Sequence, residues 1–93
     1  MTLQDEFKNY LIGRGYKVLT PSGNKSTVHH YVYRVERTCD EEHITILELA
    51  QNINKFVKSY DKGGSKEDLG LIGHKTWINS LKQFQKFSHE NNL

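Results

Sequence analysis

The stretch from Thr45 to Tyr60 constrains the chain most. Thr45-Ile46-Leu47-Glu48 matches a capping box, in which the Thr hydroxyl and the Glu carboxylate each satisfy a backbone donor of a helix's first turn. Ile46, Leu49, Ala50, Ile53, Phe56, Val57 and Tyr60 then recur at three- and four-residue spacing, the most regular apolar face in the sequence. A helix with one such face is stable only when other elements bring apolar faces to meet it.

Three further segments supply them. Leu3, Phe7, Tyr10 and Leu11 share one face of a helix over residues 2–13. Thr2 caps it, Asp5 and Glu6 suit its positive end, and Gly13-Arg14-Gly15 stops it. Val28, Tyr31, Val32, Val35 and Cys39 predict a second helix from about Ser26. Its β-branched residues make a strand the rival reading of 28–35, but strict alternation would bury His30 and Arg34 beside Val28 and Val32. Asp40-Glu41-Glu42-His43 reads as a polar break before the capping-box helix, which is third and ends at Asp61-Lys62-Gly63-Gly64-Ser65. Residues 66–73 read as a short helical turn at most. Trp77, Ile78, Leu81, Phe84 and either Phe87 or Ser88 predict a fourth helix from about His74 to Ser88, with 89–93 fraying.

Between the first two helices, residues 16–25 read as a loop around the turn Pro21-Ser22-Gly23-Asn24. Tyr16, Val18 and Leu19 are expected to tuck onto the core, and a strand there has no obvious partner. The expected fold is all-α, a compact four-helix bundle in one domain over 1–93, with its core at about 3–88.

Ninety-three residues hold one such domain and leave little room for a large internal pocket. The single Cys39 excludes a disulfide framework. Apolar runs of two or three residues exclude a membrane span. The acidic start Met1-Thr2-Leu3-Gln4-Asp5-Glu6 lacks the basic and apolar regions of a signal peptide, so a cytoplasmic location is expected.

The formal net charge is only +2, but it is unevenly spread. Residues 1–39 carry six Lys/Arg and three Asp/Glu, a net +3; residues 40–61 carry two and five, a net −3; residues 62–93 carry five and three, a net +2. If the second and fourth helices lie side by side, Lys25, Arg34, Arg37, Lys75, Lys82 and Lys86 form a basic surface suited to phosphates. Tyr33, off the apolar stripe between His30 and Arg37, is the aromatic most expected to be exposed for contact.

Phe7-Lys8-Asn9-Tyr10-Leu11, then Ser26-Thr27-Val28-His29-His30-Tyr31, Ile44-Thr45 and the Leu-x-x-Phe-x-x-Phe run of Leu81-Lys82-Gln83-Phe84-Gln85-Lys86-Phe87 follow in order. The layout resembles the SAM-like N-terminal core-binding domain of phage integrases and tyrosine recombinases, over about residues 3–88. The resemblance implies a helical unit of phage or mobile-element type that clamps duplex DNA. It points to Lys25, Ser26, Thr27, His30 and Arg34 near the start of the second helix and to Lys75, Asn79, Lys82 and Lys86 on the fourth. The recombinases' catalytic domain is not represented in these residues, so their catalysis is not carried over and no enzyme activity is expected.

A second reading makes the protein a phage-encoded inhibitor of a host defence nuclease, such as a CRISPR effector, occluding its nucleic-acid groove. There the acidic residues Asp40, Glu41, Glu42, Glu48 and Asp61 would meet a basic partner surface. The oligomeric state, a homodimer included, is left open. No cofactor and no metal are expected. Cys39-x-x-x-His43 is the one pair with zinc-ligand character, but His29 and His30 lie about 13–15 Å away from Cys39 along a straight helix. Nothing matches a phosphate-binding glycine loop, and Gly63-Gly64 reads as a turn.

Overall fold

A computed structural model describes all 93 residues. The chain forms six helices and no sheet, with α1 at Leu3–Gly13, α2 at Thr27–Glu42, α3 at Ile46–Gln51, α4 at Ile53–Tyr60, α5 at Glu67–Gly70 and α6 at Ile72–Glu90. The all-α bundle expected from the periodicity is what forms. No helix is long and apolar enough to cross a membrane.

The core grows from the predicted faces. Phe7 and Leu11 of α1 are fully buried, and the Phe7 ring meets Phe84 edge-on at 5.0 Å and Phe87 at 5.5 Å. Leu49, Ala50, Ile53, Phe56, Val57 and Tyr60 are buried, as are Trp77, Ile78, Leu81 and Phe84. Both Phe87 and Ser88 turn inward, the hydroxyl of Ser88 donating to the Phe84 carbonyl at 2.7 Å. Each fully buried large apolar side chain contributes about 1.5–3 kcal/mol relative to exposure. The radius of gyration, 12.6 Å, is that of a well-packed chain of this length.

The boundaries differ from the sequence reading in four places. First, the third helix is two helices. The Thr45 capping box forms, with Thr45 Oγ1 accepting from the Glu48 N–H and Glu48 Oε1 accepting from the Thr45 N–H, both at 3.1 Å. At Asn52 the backbone leaves helical geometry (φ −118°, ψ 22°), and its side-chain amide donates to the Glu48 carbonyl at 2.9 Å. That local bond competes with the helical ladder, as short amide side chains do. The helix resumes at once with Ile53, so the apolar face survives the break.

Second, Asp40-Glu41-Glu42 is no break but the last turn of α2, closed by His43 in the left-handed region (φ 55°). Three carboxylates are disfavoured at a helix C-terminus. Here Lys66 offsets them, pairing with Glu42 and lying 3.8 Å from Glu41. Third, the short helical turn expected within residues 66–73 forms at 67–70, but Gly73, His74 and Lys75 at the start of α6 all have positive φ. Regular geometry begins at Thr76 rather than at His74. Fourth, α6 runs two residues beyond Ser88, to Glu90, where Tyr10 donates to Glu90 at 2.7 Å and the Leu93 N–H donates to the Ser88 carbonyl at 3.0 Å.

The loop before α2 also departs in detail. Tyr16 and Val18 pack against the core, but Leu19 is exposed and forms an antiparallel bridge with Lys25. Thr38, absent from the expected apolar set, is fully buried, whereas Cys39 is only partly so.

Candidate nucleic-acid interface

α2 and α6 do lie side by side, the most extensive helix pairing in the molecule. Their seam is fixed by one polar chain. The Trp77 indole N–H donates to Thr38 Oγ1 at 2.8 Å, and that hydroxyl donates to the Arg34 carbonyl at 2.8 Å. The indole stacks on Tyr60 at 5.7 Å. Over its other neighbours lies the Arg34 guanidinium, 5.2 Å from the Trp77 ring and 5.3 Å from that of Tyr33. Arg34 therefore stands in a set position between a buried and an exposed aromatic, beside the left-handed turn at Gly73.

The remaining candidates divide between two clefts. One, of about 330 Å³ between α1 and α2, is lined by Lys25, His30 and Tyr33 together with Lys8, His29 and Glu36. Ser26 caps α2 by position, but its hydroxyl makes no bond to the first turn; Thr27 begins the helix beside it. The other cleft, of about 420 Å³, lies among α4, α5 and α6 and holds Lys75, Asn79 and Lys82 with Lys62, Asp61 and Glu67. Thus no one cleft holds basic residues of both helices. Arg34 is the candidate placed at the seam, and Lys86 is exposed outside both clefts.

Ion pairing separates the candidates further. Arg37 lies 3.6 Å from Asp40, and Lys82 lies 3.3 Å from Asp61. Lys25, Arg34, Lys75 and Lys86 pair with no carboxylate. The Asp61 carboxyl is held below its ordinary range first by the Lys62 backbone N–H, at 2.8 Å, and then by Lys82 and the charge of Lys75.

The acidic set of the second reading is engaged within the fold. Asp40 meets Arg37, Glu41 and Glu42 meet Lys66, Glu48 completes its helix cap, and Asp61 meets Lys82. Glu42 also accepts the Tyr60 hydroxyl at 3.0 Å; burial, then this carboxylate, pushes the Tyr60 phenol above its ordinary range.

No three His, Cys, Asp or Glu side chains converge anywhere in the fold. Burial, then the charges of Asp40 and Glu36, pushes the Cys39 thiol up to about 11, so it is protonated at neutral pH. His43 is exposed at the end of α2.

One cationic group escaped the sequence reading. Lys55, Lys58 and Lys62 line a cleft of about 500 Å³ at the end of α4. Averaging charge over residues 40–61 hid it. The break at Asn52 separates acidic residues before it from a stretch, 53–60, with no acid at all. The spacing of these lysines, three and then four residues, was the available signal.

No family model matches the chain, and no curated protein or solved structure does either.

Proposed function

We propose that this domain binds duplex DNA without catalysing a reaction on it, as the resemblance to integrase core-binding domains implies. The observation that carries the reading is the asymmetry of charge pairing. Every carboxylate of the acidic stretch singled out above has a partner inside the fold, while Lys25, Arg34, Lys75 and Lys86 have none. A near-neutral chain thereby keeps free cations along α2 and α6 for phosphate oxygens. Lys25, Ser26, Thr27 and His30 would meet one stretch of backbone, and Lys75 and Asn79 another, with Lys82 drawn toward Asp61. Arg34 and Tyr33 stand between them, with Arg37 and Lys86 at the margins.

The nuclease-inhibitor reading draws less support, because each of its acidic residues already has a partner within the fold. The deciding experiment is a fluorescence anisotropy titration of a labelled 20-base-pair duplex in low salt. Saturable binding that weakens with added salt is expected; no binding in low salt removes the reading. A stable complex with a nuclease, formed without DNA and blocked by charge reversal at Glu41 and Asp61, would favour the other.

A further inference from the structure

The Lys55-Lys58-Lys62 cleft is more than a cluster of surface charge. Lys55 and Lys58 project from successive turns of α4, about 4.5 Å apart along its axis. The chain then reverses through Asp61–Ser65. Gly63 has a positive φ of 85°, and a Cβ on Gly64 would fall on the Ser59 and Lys58 carbonyl oxygens. Glycine at 64 therefore lets the loop lie flat against the end of α4. The Lys66 N–H donating to the Ser59 carbonyl at 2.8 Å fastens it there.

The result is a cleft lined by Ser59, Gly63, Gly64 and Ser65 together with the three lysines. None of its seven lining residues is hydrophobic, and none is acidic. No lysine of the three pairs with a carboxylate. Lys55 instead rests over the Phe56 ring at 5.3 Å. The nearest acids, Asp61 and Glu67, line the neighbouring cleft, where Asp61 meets Lys82 and Glu67 accepts from the Gly63 N–H at 3.4 Å. One lysine would suffice to complement the negative end of the α4 dipole, worth about half a charge. Three exceed that need.

Lys62 lines this cleft and also the α4–α5–α6 cleft of Lys75, Asn79 and Lys82. The two are therefore continuous through one cationic side chain. We infer that Lys55, Lys58 and Lys62, with the Ser59 and Ser65 hydroxyls, form a second grip on the phosphodiester backbone of duplex DNA. It extends the α6 contact across Lys62 toward α4. This inference rests on the nucleic-acid reading above and adds residues that reading did not contain.

The test compares two variants of equal charge change in anisotropy titrations of the 20-base-pair duplex across salt concentrations. K55Q/K58Q removes two of this cleft's three lysines, Lys55 also bordering a cleft with Asn54 and His89; R14Q/K17Q removes two exposed cations that line none of these clefts. Circular dichroism confirms that both stay folded, as exposed sites predict. K55Q/K58Q is expected to weaken binding roughly tenfold and to flatten the plot of log affinity against log salt by about 1.8, at about 0.9 per phosphate contact. R14Q/K17Q is expected to leave the slope in place. In the wild-type protein, DNA should also shift the amide resonances of Gly63, Gly64 and Ser65. If the wild type binds but the two variants behave alike, this inference falls and the α2–α6 reading stands. If the wild type does not bind, both fall.

Discussion

Thr38 shows how a single side chain sets the geometry on which the candidate surface depends. Its hydroxyl is the only partner of the Trp77 indole N–H, deep between α2 and α6, and it is itself held by the Arg34 carbonyl. Thr38→Val keeps the shape and removes the acceptor, leaving a buried donor unsatisfied. The expected cost is about 1–3 kcal/mol, read as a lower urea midpoint with an unchanged slope. DNA affinity should fall as well, since the indole platform under Arg34 is no longer fixed. Cys39, one residue on, has a different consequence. Its thiol holds its proton to about pH 11, against an ordinary value of 9.0, so between those values the unfolded chain loses a proton that the folded chain keeps. This contribution is present below pH 9 and disappears as the pH rises toward 11. The alkaline loss of stability should therefore be shallower in Cys39→Ala than in the wild type. Thiolate-dependent labelling of the native protein at pH 8 should also run roughly a hundredfold below that of a free cysteine, from the two-unit difference.

Among the elements, the α4–α5 junction tolerates least. Gly70 of α5 sits so close to α4 that a Cβ would fall on the Tyr60 carbonyl oxygen, a backbone atom that cannot swing aside. Gly70→Ala must part α5 from α4, and with them the Tyr60–Trp77 stack. A loss on the order of 3 kcal/mol is expected by thermal or urea unfolding, at the upper end of overpacking costs. Gly13→Ala meets nothing and serves as the comparison. This junction also marks where the sequence was least legible. The apolar stripes of α1, α2, α4 and α6 could be read because burial imposes its period on composition. Phe7, Leu11, Leu81, Phe84 and Phe87, which carry the family resemblance, are all core residues. The Asn52 break was hidden because it leaves the apolar register intact. The extension of α2 through Glu42 was hidden because its support, Lys66, is far along the chain. The left-handed turn at Gly73–Lys75 places two non-glycine residues where Cβ sterics cost energy, and no local pattern announces it.

At the scale of the whole molecule, charge is decided by pairing rather than by sum. The chain's net +2 describes a weak electrostatic partner, and its acidic middle segment suggests a second, negative face. Folding removes most of that face. Arg37, Lys66 and Lys82 are spent on Asp40, on Glu41 and Glu42, and on Asp61. Ten Lys/Arg side chains carry no such partner, and seven of them, Lys25, Arg34, Lys55, Lys58, Lys62, Lys75 and Lys86, belong to the surfaces described above. A duplex that engages four or five of these seven displaces as many condensed counterions, giving a slope of roughly −4 in log affinity against log salt. Raising salt from about 50 to 200 mM should then weaken binding by two to three orders of magnitude. A molecule with two charges spread evenly over its surface would show a slope below about 2 in size. Anisotropy titrations at four salt concentrations separate the two cases. The same series on K82A adds a check on the pairing argument. If Lys82 is already spent on Asp61, removing it frees a carboxylate next to Lys75 and lowers affinity without changing the slope; if it contacts phosphate directly, the slope flattens by about 0.9.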